Sequence, residues 1–171
     1  VTASIGIKDG LIADIYEPGE EPEATEVIDA KGLAIIPGAI DMHSHHREGS
    51  ESGFEYKDTI YSSTQQCAAG GVTTSIAMPN VNPPPNSREL LKKQFAIYER
   101  DAIVDWNFNP APTINDEIPY LAEQGIAAFK IFMVVDTGRS YPHMPGIGVH
   151  DHGRLLEIMQ HCAKVNVPLM I

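Results

Sequence analysis

Asp41-Met42-His43-Ser44-His45 closes an apolar run over residues 33–43, LAIIPGAIDMH. In a strand, residues i and i+2 project to one side, so His43 and His45 would offer two imidazoles to one cation. The competing reading is a His-rich surface turn, because His46 follows directly. Asp41 also has two readings: a carboxylate supporting a metal-bound histidine, or an anchor for the strand end. Lys130 is the second group of interest, set in Ala127-Ala128-Phe129-Lys130-Ile131-Phe132-Met133 with apolar residues on both sides. A buried ammonium without a partner is costly or loses its proton. Such a lysine either snorkels or pairs with a carboxylate, or its neutral amine reacts with CO₂. The resulting carbamate has two oxygens able to bridge two divalent metals, although sequence alone does not force that step.

These groups need strands to hold them. Residues 4–16 alternate apolar and polar around Lys8-Asp9-Gly10, a hairpin signal. An acidic, Pro-containing loop (17–26) follows, then a short third strand at Val27-Ile28-Asp29. From residue 33 the pattern becomes strand, helix, strand, helix. Buried strands are predicted at 33–43, 72–80, 104–112, 126–135 and from 167. Helices are predicted at 55–69, 87–102, 114–124 and from Asp151 to about Lys164, with Ser87 and Asp151 as N-caps and Gly70-Gly71 and Gly125 as stops. This alternation predicts βα units around a parallel sheet. The strand starts recur about every 33 residues, so eight units would approach the roughly 250 residues of a (β/α)₈ barrel. A flavodoxin-like five-stranded sheet would fit this length whole. The chain starts at Val1 inside a strand pattern and stops at Ile171 in an apolar run. The expectation is therefore about half of a longer barrel.

The composition narrows the class. The chain has 171 residues, 43% hydrophobic and 20% charged, which is an ordinary globular profile and excludes disorder and a disulfide scaffold. Twelve basic residues against 23 acidic ones give a net charge of −11. With no Lys/Arg cluster, nucleic acid and anionic membranes are poor partners. No apolar run reaches the length of a membrane span. Cys67 and Cys162 are predicted to be reduced thiols of a cytoplasmic protein.

Residues 37–49, PGAIDMHSHHREG, resemble the dihydroorotase signature of the cyclic amidohydrolases, the superfamily that includes hydantoinase/dihydropyrimidinase and allantoinase. The segments 53–60 (GFEYKDTI), 68–74 (AAGGVTT) and 77–80 (AMPN) continue the match in order, and 129–133 (FKIFM) looks like the segment bearing the metal-bridging carboxylated lysine. The resemblance implies an α/β fold, a TIM-type (β/α)₈ barrel of which about the first half is present. Residues 1–32 would be part of a small flanking β-sandwich. Residues 33–171 would be the first four βα units and the fifth strand. It implies two divalent ions, usually zinc, sharing carboxylated Lys130, with His43 and His45 holding the more buried one. It implies a small cyclic amide as substrate and a homo-oligomer. The base and two further histidines are expected beyond Ile171.

Arg47 and Asn80 match positions where dihydroorotases grip the substrate carboxylate, a role that suits an Arg fork. Their plainer readings are a solvated loop residue and a turn-forming Asn before Pro83-Pro84-Pro85. Other signals point elsewhere. Three extra residues (Ser50, Glu51, Ser52) precede Gly53, and the long loop 136–150, with Tyr141 and His143, resembles hydantoinase loops, yet Val135 stands where those enzymes usually place a substrate-binding Tyr. A dihydroorotase-like hydrolase is the first expectation, and a hydantoinase- or allantoinase-type hydrolase of a cyclic amide or imide is the second. A non-catalytic amidohydrolase-like scaffold and a small α/β binding domain are the rivals of another kind. His150, His152 and His161 read as capping or surface residues, and Trp106 and Phe108 as core.

Overall fold

The computed structural model describes residues 1–136 and 144–171. Tyr141 and His143 lie outside the described residues. The chain divides into two compact units, Val1–Ile36 and Pro37–Ile171, four residues later than the boundary expected at 32/33.

The first unit is a β-hairpin. Strands β1 (Ser4–Lys8) and β2 (Leu11–Tyr16) pair antiparallel. Asp9 and Gly10 adopt φ values of 53° and 75°, the left-handed pair that a two-residue turn between right-twisted strands requires. The predicted third strand at Val27-Ile28-Asp29 is absent. Those residues join no strand pairing among the described residues, and Val27 and Ile28 are exposed. Three apolar-rich residues do not make a strand without an edge to bond to.

The second unit is built of βα units. Strands β3 (Ala39–Ser44), β4 (Val72–Ala77) and β5 (Asp105–Phe108) form a parallel sheet in chain order. Helices α1 (Ile60–Ala69) and α2 (Arg88–Asp101) occupy the two connections. The short helix α3 (Ile118–Glu123) follows β5, and β6 (Phe129–Lys130) and β7 (Leu169–Met170) pair parallel around α4 (His152–Lys164). The β6 backbone is tied to the end of β5: Lys130 N–H donates to the Pro110 carbonyl at 3.1 Å. Among the described residues no helix is long and apolar enough to cross a membrane.

The first strand of the parallel sheet starts later than its apolar run predicts. Pairing begins at Ala39 and not at residue 33, where Leu33, Ile35 and Ile36 are exposed. Apolarity does not set this boundary. Pro37 lacks an N–H to donate, and Gly38 lies so close to β4 that a Cβ there would collide with the Thr73 side chain. Pairing starts one residue later, with Ala39 N–H donating to Gly71 at 2.9 Å. Nor is β3 buried on both faces as expected. It is an edge strand here, and Ile40 and Met42 are each 63% exposed.

The helix ends follow local chemistry. Helix α1 starts at Ile60 and not at 55, because Thr59 and Ser62 form a reciprocal capping box there. Ser87 caps α2 and Asp151 caps α4, and Gly71 and Gly125 take the positive φ that follows a helix end. Helix α2 buries Leu91, Gln94 and Tyr98, residues three and four apart on one face. That face meets the sheet: Tyr98 lies 4.8 Å from the Trp106 ring and 6.0 Å from the Phe108 ring. Phe108, Phe129, Ile118, Leu121 and Ile158 complete the core with no exposure. Each such side chain contributes about 1.5–3 kcal/mol of burial.

Candidate metal and substrate site at the strand ends

In a parallel sheet all strands end on the same edge, and here that edge gathers the polar residues. His43 and Ser44 close β3, Asn80 follows β4 and Asn109 follows β5; Lys130 closes β6 in the two-stranded sheet tied to the end of β5. The concavity lined by Tyr98, Ile103 and Trp106 lies at the start of β5, the opposite edge, and has no part in this site.

His43 and His45 are brought together, their ring centroids 5.2 Å apart and edge to face. The route differs from simple alternation. Asp41 aligns with Ser75 and Ser44 with Ala77, so β3 uses three residues where β4 uses two. This bulge sits at Met42-His43, and the strand ends before His45. Asp41 Oδ1 accepts the His43 backbone N–H at 2.9 Å. That bond chiefly, and the nearby Ser44 hydroxyl next, hold the Asp41 carboxyl below its usual range.

Asn80, 6% exposed, stands beside His45. His45 Nδ1 lies 2.7 Å from Asn80 Oδ1. An amide oxygen only accepts, so Nδ1 carries the proton and Nε2 keeps its lone pair. Burial lowers the His45 pKa most, the Asn80 bond opposes this, and the positive charge of Arg47 lowers it further. His45 is thus a neutral imidazole with one nitrogen open, the form a cation needs.

Arg47 is half-buried and lies between two anchored residues. His46 is buried on one side. On the other, Glu48 Oε2 accepts the N–H of Ile60 at the start of α1, and the Glu48 carbonyl accepts Gln94 Nε2–H from α2, both at 2.9 Å. The three extra residues are tied to the loop after β4: Glu51 N–H donates to the Asn82 carbonyl at 2.9 Å, and Asn82 Nδ2 donates to the Ser52 carbonyl at 2.5 Å. A Cβ at Gly49 would strike the Asn82 backbone.

Lys130 is 8% exposed. Its Nζ lies 5.1 Å from the Phe132 ring centre and forms no ion pair among the described residues. Burial lowers its pKa, which favours the neutral amine. Among the described residues no third His, Cys, Asp or Glu joins His43 and His45 in a metal cluster. The residue types nevertheless suit a divalent cation: two adjacent imidazoles, one with its tautomer set, and a desolvated amine at the end of β6.

Two residues escaped the sequence reading. His46 is 3% exposed and bonded at both ring nitrogens, not part of a surface turn. Asn109 is 1% exposed with its Oδ1 unpartnered. Only its place at the end of a strand, like Asn80, could have marked it. His150 and His152 are exposed at the start of α4, whose cap is Asp151, and His161 lies in its last turn.

The parallel strands thus carry an imidazole pair at the first strand end, and known proteins share this sequence and fold. The dihydro-orotase-like family model matches residues 32–132. The chain belongs to that family. It is 33% identical over 170 residues to a dihydroorotase of Enterococcus faecalis, covering 99% of this chain and 38% of that protein. It is 34% identical over 172 residues to an allantoinase of Rubrobacter xylanophilus, covering 99% and 36%. Among solved structures, L-hydantoinase (dihydropyrimidinase) from Arthrobacter aurescens superposes with a TM-score of 0.80 at 25% identity, over 98% of this chain and 36% of that one. The chain thus spans little more than a third of the length of these relatives.

Proposed function

We propose that the protein carrying this chain hydrolyses the C–N bond of a small cyclic amide, with a dihydroorotase-like substrate, and that its chain completes a (β/α)₈ barrel beside a flanking β-unit. The observation that supports this most is the His43–His45 pair, with the His45 tautomer set by Asn80, at the first strand end of a chain of this family. His43 and His45 would hold one of two divalent ions, for which zinc is the choice. Lys130, desolvated and without an ion pair among the described residues, would take up CO₂: its neutral nitrogen would form the N–C bond and lose one proton, leaving a carbamate whose oxygens would be available as ligands. When bound, such ions lower the pKa of water and polarise the scissile carbonyl.

The chain's own residues then do the rest. Asn80 keeps the His45 Nε2 lone pair turned to the site. Arg47, between the anchored His46 and Glu48, would bind a substrate carboxylate through its guanidinium. Hydrolysis forms a C–O bond from water, breaks the ring C–N bond and delivers a proton to the leaving nitrogen. A cytoplasmic homo-oligomer is the proposed setting.

The full-length, zinc-loaded protein is to be assayed on dihydroorotate, allantoin and hydantoin. Turnover of dihydroorotate that Arg47→Ala abolishes, with any neutral-ring activity spared, supports the reading. Equal losses on charged and neutral rings refute the Arg47 role, and no turnover of any ring refutes the hydrolase. The allantoinase relative makes allantoin the second reading, tested by the same panel.

A further inference from the structure

Behind the imidazole pair runs a line of polar side chains that reaches into the core. His46 Nε2 lies 2.9 Å from Ser75 Oγ, and its Nδ1 lies 3.2 Å from the Tyr98 hydroxyl. Ser75, with no exposure, lies 2.7 Å from Ser44 Oγ. Ser44 is the last residue of β3, and within that strand Asp41 Oδ1 accepts the His43 backbone N–H. Side chains from β3, the segment after it, β4 and α2 thus connect the aromatic core to the end of β3 beside His43.

The proton directions follow from one end. Ser75 Oγ–H donates to Ser44 Oγ, which uses the single proton of the Ser75 hydroxyl. Ser75 must therefore accept from His46 Nε2–H, and His46 Nδ1 accepts from the Tyr98 O–H. Each member has its partner in one directional pattern, the condition under which a buried network rigidifies its surroundings.

What the line holds is the bulge. Ser44 flanks the bulge on one side and Ser75 is the β4 residue aligned with Asp41 on the other, so the Ser75–Ser44 bond spans it. The extra residue between them is where His43 leaves the strand. Bulges re-aim side chains next to active sites, and an unheld bulge can slip. We propose that His46 is a positioning residue: through Ser75 and Ser44 it fixes the bulge that aims His43 beside His45. This rests on the metal-binding reading above.

The test uses the full-length protein with Co(II) as probe, and reads the dissociation constant and the visible absorption of the bound ion. His46→Leu removes both bonds and keeps an apolar filling. Ser75→Ala, a smaller change, breaks the line at its middle and serves if the first variant does not fold. The expected result is affinity weakened about 10–100-fold in either variant, with an altered cobalt spectrum. Wild-type affinity and spectrum in the variants overturn the positioning role and leave the metal reading standing. Weaker binding with an unchanged spectrum marks a general loss of stability and also overturns it. A wild-type protein that binds no Co(II) overturns the metal reading and this inference with it.

Discussion

Replacing Asn80 by Ala separates two roles for one side chain. The matched motif suggests a grip on substrate, whereas the geometry shows the Asn80 oxygen bonded to His45 Nδ1 at 2.7 Å. Asn80 is 6% exposed and His45 half-buried, so water replaces the lost acceptor poorly. A buried donor left unpaired costs about 1–3 kcal/mol. At about 1.4 kcal/mol per tenfold, that corresponds to roughly 5- to 150-fold in an equilibrium constant. An orienting partner of a metal ligand characteristically costs about 10–100-fold in affinity, which falls inside this range. The assay is competition between the full-length protein and a chromophoric chelator for Zn(II), with KM measured at saturating metal. Asn80→Ala should weaken zinc by that factor, and Asn80→Asp, which keeps an acceptor, should recover most of it. Zinc affinity within about twofold of wild type, with a raised KM, would refute the orienting argument and return Asn80 to the substrate.

Three further outcomes follow from the same geometry. Lys130→Met keeps the packing against Phe132 and removes the amine, so metal content should drop from about two ions per chain to one or fewer; unchanged content rejects the carbamate. Burial lowers the pKa of both His45 and His46 below the ordinary 6.5. The folded state then binds fewer protons than the unfolded one, so the metal-free protein loses thermal stability as pH falls below about 6.5. His46→Leu should flatten that dependence, and a wild-type Tm flat from pH 7 to 5 would contradict it. Finally, Cys162 is 2% exposed and burial pushes its thiol up to about 11. It should resist iodoacetamide at pH 8 while Cys67, which is less buried, reacts; mass spectrometry of the alkylated peptides reads the order.

What could be read from the sequence was what local chemistry decides. The Asp9-Gly10 turn, the Ser87 and Asp151 caps and the Gly71 and Gly125 stops depend on residues within a turn or two, and they fall where expected. The start of β3 did not, because four exposed apolar residues mimic a buried strand, while the true limit is a clearance between Gly38 and Thr73 on another strand. Helix α1 was placed too early because Thr59 and Ser62 form a quieter cap than the acidic residues before them. Within the site, His43 and His45 were visible from spacing, although the bulge that brings them together was not. His46 was unreadable: its environment comes from Ser75 and from Tyr98, 52 residues away, and nothing near it in the sequence marks a buried histidine.

The knot between residues 49–52 and Asn82 bears on how such a protein changes its preferences. Gly49, Glu51 and Ser52 lean on the backbone and amide of Asn82, so the loop after Arg47 and the loop after Asn80 share one set of contacts. A substitution that reshapes either loop is felt by the other. Drift toward a new ring would therefore proceed through paired changes, each harmful alone and tolerated together. Laboratory selection that randomises one loop at a time should stall here, and libraries that vary 49–52 with 81–83 should not.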